Sequence, residues 1–181
     1  NTLAAPLSPE DQVVQAMPDA SPTKWHLAHV TWFFETFILL PYSPNYIAFD
    51  ELFMFLFNSY YEAVGARHAR PDRGLLTRPS LSEIMQYRQH VDAAMERLLA
   101  HGSYDGKVEK LTELGINHEQ QHQELMLMDI LNLFSRNPLR PPYAATMLTF
   151  SVGSGRENWL EFEGGLYEIG FNGTGFAFDH E

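Results

Sequence analysis

The stretch Gly115-Ile-Asn-His118-Glu-Gln-Gln-His122-Gln-Glu-Leu125-Met-Leu-Met-Asp129 lies in a run from about Lys107 to Phe134 that no proline interrupts. Leu125, Met126, Met128, Asp129 and Leu131 fill its later turns, so the run reads as a long and largely buried helix. Residues four apart on such a helix are turned by about 400°, so His118 and His122 leave one face, one turn apart. That spacing suits two nitrogen ligands of a single metal ion. Glu124 is turned by about 200° from His122 and cannot share that ion.

Working outward, the first 140 or so residues are helical in character. Ser8-Pro9-Glu10-Asp11 and Ser21-Pro22-Thr23 each place Ser at an N-cap and Pro at the first helical position. The second of these opens an apolar helix predicted over Pro22 to Leu39 and stopped before Pro41. A loop over 42–50 leads to a helix predicted over Glu51 to Val64, ending at Gly65. A polar loop, Ala66 to Pro79, carries Arg67, Arg70, Arg73 and Arg78. Ser80-Leu-Ser-Glu83 then forms a capping box for a helix running to His101. Beyond Pro142 the texture changes. Residues 147–181 hold seven of the twelve glycines, and Leu166-Tyr-Glu-Ile169 and Phe176-Ala-Phe178 alternate as short strands do.

Composition narrows the chemistry. The chain has 181 residues, 45% of them hydrophobic and 19% charged, which excludes a disordered polymer. Twelve Lys and Arg stand against 23 Asp and Glu, which leaves no broad basic face for nucleic acid. The absence of cysteine removes disulfides, thiolate metal sites and cysteine nucleophiles together, so any metal must use His or carboxylate. The apolar run Val30 to Leu40 is too short to span a membrane, and the first residues lack the pattern of a secretory signal. The expectation is a cytoplasmic protein with no membrane and no nucleic-acid partner.

A metal site needs a third protein ligand, and the sequence offers two sources. His118-Glu-Gln-Gln-His122 is also His-Glu-x-x-His, which in zinc peptidases makes the Glu, here Glu119, a general base. That reading calls for a ligand downstream, and position 128 is Met where the extended motif has His. The other source lies upstream. Lys24-Trp-His-Leu-Ala-His29 places His26 and His29 on the apolar helix, where a lone histidine usually belongs to the core. A bundle whose helices both turn His inward is a standard way to build a metal site, and three neutral imidazoles suit Fe or Zn.

Four stretches together carry a family resemblance. They are Ser21-Pro-Thr-Lys-Trp-His-Leu-Ala-His29-Val-Thr-Trp-Phe-Phe-Glu35, Phe57-Asn-Ser-Tyr-Tyr-Glu-Ala-Val-Gly65, Arg73-Gly-Leu-Leu-Thr-Arg-Pro79 and His118-Glu-Gln-Gln-His-Gln-Glu-Leu125. In this order they resemble the sulfoxide synthases of ergothioneine biosynthesis. Phe162-Glu-Gly-Gly-Leu-Tyr-Glu-Ile-Gly170 resembles the first strands of that family's second domain, which is similar to the formylglycine-generating enzymes.

The resemblance implies a mainly α fold: a DinB-like four-helix bundle over 1–146 and a short β/loop tail over 147–181. It implies Fe(II) held by His29, His118 and His122. The implied reaction is O₂-dependent joining of hercynine to the thiol of γ-glutamylcysteine or cysteine, yielding a sulfoxide. Gln121, about 60° to one side of the histidine stripe, is the implied hercynine contact. Arg70 and Arg73 are implied to bind the sulfur donor, their guanidinium forks matching a carboxylate. Glu124 is then a residue that caps or pairs within the bundle, and Trp25 and Trp32 pack the core. The family's catalytic tyrosine lies in the second domain, and Tyr167 does not take its role. The chain is therefore expected to be an N-terminal portion that holds iron and lacks a complete catalytic site, its missing partner being the rest of that domain. Two alternatives stand beside this: a zinc hydrolase using Glu119, and a free-standing DinB-like bundle that binds metal or thiol.

Overall fold

The computed structural model describes residues 1–59, 65–100, 106–144 and 159–178. It divides into two units, Asn1–Tyr143 and Ala144–Glu181. The first unit is a helical bundle built on α1 (Thr23–Phe34), α4 (Leu81–Ala100) and α5 (Gly106–Arg136), with the short helices α2 (Leu40–Tyr42) and α3 (Phe53–Leu56). Among the described residues there is no strand, and no helix is long and apolar enough to cross a membrane.

α1 is the central rod. Every residue from Thr23 to Phe33 is buried, which suits a helix enclosed on all sides. It packs against both α4 and α5. Those two are amphipathic, burying Ile84, Tyr87, Arg88 and Val91 on α4 and Met126, Ile130 and Phe134 on α5, at helical spacing. Burying a side chain the size of Trp32 or Phe33 contributes about 1.5–3 kcal/mol, so this enclosed helix anchors the core.

The predicted helix stop before Pro41 is corrected. The rod continues through a π-helical turn, Glu35–Leu39, into α2, which contains Pro41. A proline ring has no N–H to give the carbonyl four residues back and collides with it in a regular helix. The wider π turn falls immediately before that position.

The start of α1 also differs from expectation. Its N-cap is Pro22, with no side-chain cap. The Ser21 hydroxyl instead accepts from Arg73 Nη1 at 2.9 Å, and the Ser21 N–H donates to Asp129 Oδ2 at 2.8 Å. The segment Ser8–Asp11 forms a reciprocal turn, Ser8 N–H to Asp11 Oδ2 at 2.9 Å and Asp11 N–H to Ser8 Oγ at 3.1 Å, and no helix follows it.

Among the described residues, the helix predicted over Glu51 to Val64 is reduced to the single turn of α3. Phe57, at φ −110° and ψ 2°, leaves the helical path. Its carbonyl accepts from His29 Nδ1 at 2.6 Å, a bond that a continuing helix would have claimed for itself. Residues 60–64 lie outside the described residues. The capping box of α4 forms as read, with Ser80 N–H donating to Glu83 Oε2 at 2.7 Å and Glu83 N–H to Ser80 Oγ at 3.3 Å. The predicted end at His101 lies outside the described residues. α5 covers the predicted Lys107 to Phe134.

The strands expected at Leu166–Ile169 and Phe176–Phe178 are not formed among the described residues. Strand backbone needs a neighbouring ladder to satisfy its N–H and C=O groups, and none lies beside these segments among the described residues.

Candidate metal centre

His29 comes from the enclosed helix α1, and His118 and His122 from the facing side of α5. One ring nitrogen from each lies within 4.8 Å of the other two. The ring centroids are 4.6 Å apart for His29–His122, 5.0 Å for His29–His118 and 4.5 Å for His118–His122. His29 is 1% exposed and His118 7%, so the cluster sits at the α1–α5 contact and not on a surface.

Burial disfavours the charged imidazolium and sets the protonation of the cluster. It holds His118 down to about 4. It holds His29 well below its ordinary value, helped by the charge of a protonated His118 and opposed by the Phe57 carbonyl bond. His122 is lowered in the same direction by burial and then by its histidine neighbours. Neutral imidazoles with free lone pairs are the form that binds a metal.

The donor set fits a metal ion on two further counts. His29 donates from Nδ1 to Phe57 O, which turns Nε2 toward the cluster as an acceptor. His118 Nδ1 is buried and has no hydrogen-bond partner among the described residues. An orphaned buried nitrogen costs free energy that a ligand would recover. Three nitrogens this close can bond one divalent ion after small ring rotations.

Beyond the three, the structure adds two residues that the sequence reading did not assign. His26 Nδ1 lies 2.9 Å from His122 Nδ1, and His26 Nε2 lies 3.0 Å from Asp129 Oδ2. Burial lowers the His26 pKa against the opposing pull of Asp129. A signal was present: Asp129 is seven residues past His122, about two turns on, and so falls on the same stripe.

The DinB superfamily model matches residues 1–126, which include α1, α3, α4 and both histidines of α5. The chain belongs to the DinB superfamily. No curated protein matches it.

In this DinB-superfamily bundle the remaining candidates occupy distinct places. The Arg73 guanidinium lies 3.4 Å from the Trp25 ring centroid. Trp25 stacks on His29 at 4.6 Å and 13°, and Trp32 covers the opposite side at 5.4 Å and 16°. The order is guanidinium, indole, imidazole, indole. Arg73 also donates to Ser21 Oγ at 2.9 Å and Ser59 Oγ at 3.3 Å, which fixes it behind Trp25. Arg70 donates to the Asp19 carbonyl. Gln121 is exposed on α5, and so is Glu124. Glu119 Oε1 faces Arg88 Nη2 at 3.6 Å. A cleft of about 240 Å³ between residues 1–4, α1 and α5 reaches His26, Glu119 and His122.

Proposed function

We propose that this chain is the metal-bearing bundle of a cytoplasmic, Fe(II)- and O₂-dependent sulfoxide synthase. Its reaction would join hercynine to the thiol of γ-glutamylcysteine or cysteine. The observation that carries the reading is the neutral three-histidine set drawn from α1 and α5, inside the sequence stretches that resemble that enzyme family. The absence of cysteine agrees with a reaction whose sulfur arrives with a substrate.

His29, His118 and His122 would hold the ion. Fe(II) held by three neutral nitrogens would supply O₂ activation and would favour the thiolate form of the sulfur donor. The protein's own residues do the positioning. Phe57 O and the His26–Asp129 pair orient two of the ligands. Trp25 and Trp32 cover both faces of His29 and keep water from it. Gln121 faces solvent, where it is available to a bound hercynine, and Arg70 and Arg73 bond Asp19 and Ser21 just ahead of α1. In this reading residues 147–181 open a formylglycine-generating-enzyme-like domain that carries the rest of the pocket.

The zinc-hydrolase reading asks Glu119 to act as a base over the metal. Its carboxylate faces the Arg88 guanidinium instead, and the third histidine comes from upstream.

The test is aerobic incubation of the protein that carries this chain with Fe(II), hercynine and each thiol, read by product mass. The expected result is a sulfoxide that disappears in His29→Ala. Iron bound without sulfoxide from either thiol would leave a metal-binding DinB bundle in its place.

A further inference from the structure

Two of the three clustered histidines have their second nitrogen held by another group, and the groups differ in kind. His29 Nδ1 meets a neutral carbonyl, that of Phe57, at 2.6 Å. His122 Nδ1 meets His26, whose other nitrogen meets the carboxylate of Asp129. His118 Nδ1 has no hydrogen-bond partner among the described residues.

We infer that Asp129 and His26 form a positioning relay that fixes His122 as the Nδ1–H tautomer and leaves its Nε2 as the metal-binding atom. This rests on reading the three histidines as a metal centre. The proton assignments follow from the acceptors. Asp129 Oδ2 accepts from the Ser21 N–H at 2.8 Å, and a carboxylate oxygen can only accept, so the 3.0 Å contact is a donation from His26 Nε2–H. A neutral His26 then offers only a lone pair at Nδ1. The 2.9 Å contact must be a donation from His122 Nδ1–H, and the lone pair of His122 is at Nε2.

Both nitrogens of His26 are thereby occupied, which separates it from the ligands although it lies one turn before His29 on α1. The carboxylate at the end of the relay raises the basicity of His122 through His26, as carboxylates behind ligand imidazoles generally do. His122 becomes the most strongly donating of the three. The relay also ties the start of α1 to α5, because the Ser21 N–H and His26 share one oxygen of Asp129.

The experiment uses the full chain with Co(II) as probe, its affinity measured by competition with a chromophoric chelator. It adds long-range ¹⁵N–¹H spectra of the metal-free protein, which report the tautomer directly. Asp129→Asn keeps an oxygen for Ser21 and His26 while removing the charge. His26→Phe removes the relay and keeps an aromatic ring in place. The expected wild-type spectrum shows His122 protonated at Nδ1. Expected affinities fall by about tenfold in Asp129→Asn and about 10–100-fold in His26→Phe, the range for lost outer partners. The Co(II) absorption envelope should be unchanged in both, because neither variant removes a ligand. Wild-type His122 protonated at Nε2, or equal Co(II) affinity in all three proteins, overturns the inference alone. A changed envelope in His26→Phe makes His26 a ligand and overturns it as well. A wild-type chain that binds no Co(II) overturns the metal-centre reading and the relay with it.

Discussion

The backbone of Gly115 on α5 runs so close to Phe34 on α1 that a Cβ there would stand 2.7 Å from Phe34 Cζ. Phe33 is also near, its Cε1 at 3.0 Å. Gly115 lies one turn before His118, so this approach sets the spacing at which α5 presents its histidines to His29.

Gly115→Ala therefore sets two effects against each other. Alanine gains about 1 kcal/mol of helix propensity over glycine. Forcing a methyl against two packed phenyl rings costs about 1–3 kcal/mol. The expected net is a loss of stability of about 1 kcal/mol in urea unfolding, with weakened Co(II) binding, because α5 must back away. Higher stability with unchanged Co(II) affinity would mean that the helices are not held at this distance by Gly115.

Stability of the metal-free protein should depend on pH through the cluster. His118 titrates near 6.5 when unfolded and near 4 when folded, owing to burial. Between those values the unfolded chain takes up a proton that the folded one does not, so stability falls as pH drops from 6.5 to 4. Above 6.5 both states are neutral and His118 contributes no slope. The loss across that range is on the order of 3 kcal/mol. His118→Gln should flatten part of the slope, whereas saturating metal should raise stability without flattening it, because the folded ligands then stay unprotonated while the unfolded histidines still take up protons. Equal urea midpoints at pH 6.5 and 4.5 would contradict the burial argument.

A second buried network should matter to the fold and not to the metal. Glu35, fully buried, accepts from Tyr46 OH at 2.6 Å, Tyr87 OH at 2.6 Å and the Phe49 N–H at 3.0 Å. Burial, then the Glu35 charge, pushes the Tyr87 phenol well above its ordinary range, so it remains a donor throughout. Tyr87→Phe leaves a buried carboxylate short of one donor and should cost about 1.5–3 kcal/mol. Metal affinity should be unchanged, because the Tyr87 hydroxyl bonds Glu35 and none of the three histidines. Urea unfolding and a Co(II) titration of the same variant check both halves.

Arg73→Met should behave differently. It keeps bulk beside Trp25 but removes the bonds to Ser21 and Ser59 and the cation over the indole. A loss of about 1.5–3 kcal/mol is expected for the charged hydrogen bonds. The positive charge that disfavours protonation of His29 and His122 also goes, so metal binding should begin to fail at higher pH than in wild type. A pH titration of Co(II) binding reads this; a profile shifted toward lower pH would contradict it.

The residues themselves explain what the sequence made legible. His118 and His122 were visible because helical period alone puts them on one face, and the bundle brings His29 to them. The capping box of α4 was visible because Ser80 and Glu83 are local partners. α3 was not, because its end is imposed by His29, 28 residues away, claiming the Phe57 carbonyl. Ser21 has the right chemistry for a cap, but Arg73 and Asp129 from distant elements outcompete that local use. His26 and Asp129 are 103 positions apart, and only the packing of α1 on α5 makes them a pair. The π turn before Pro41 is likewise a tertiary accommodation, since propensity alone would end the helix there.

If His29, His118 and His122 together hold one Fe(II), tight binding needs all three. Anaerobic Fe(II) titration of the wild-type chain beside His29→Ala, His118→Ala, His122→Ala and the control Glu119→Gln tests it most directly. Stoichiometric iron is expected in the wild type and in Glu119→Gln, with loss of tight binding in each histidine variant. Iron retained at wild-type affinity in His29→Ala would contradict it, because the site would then be built without α1.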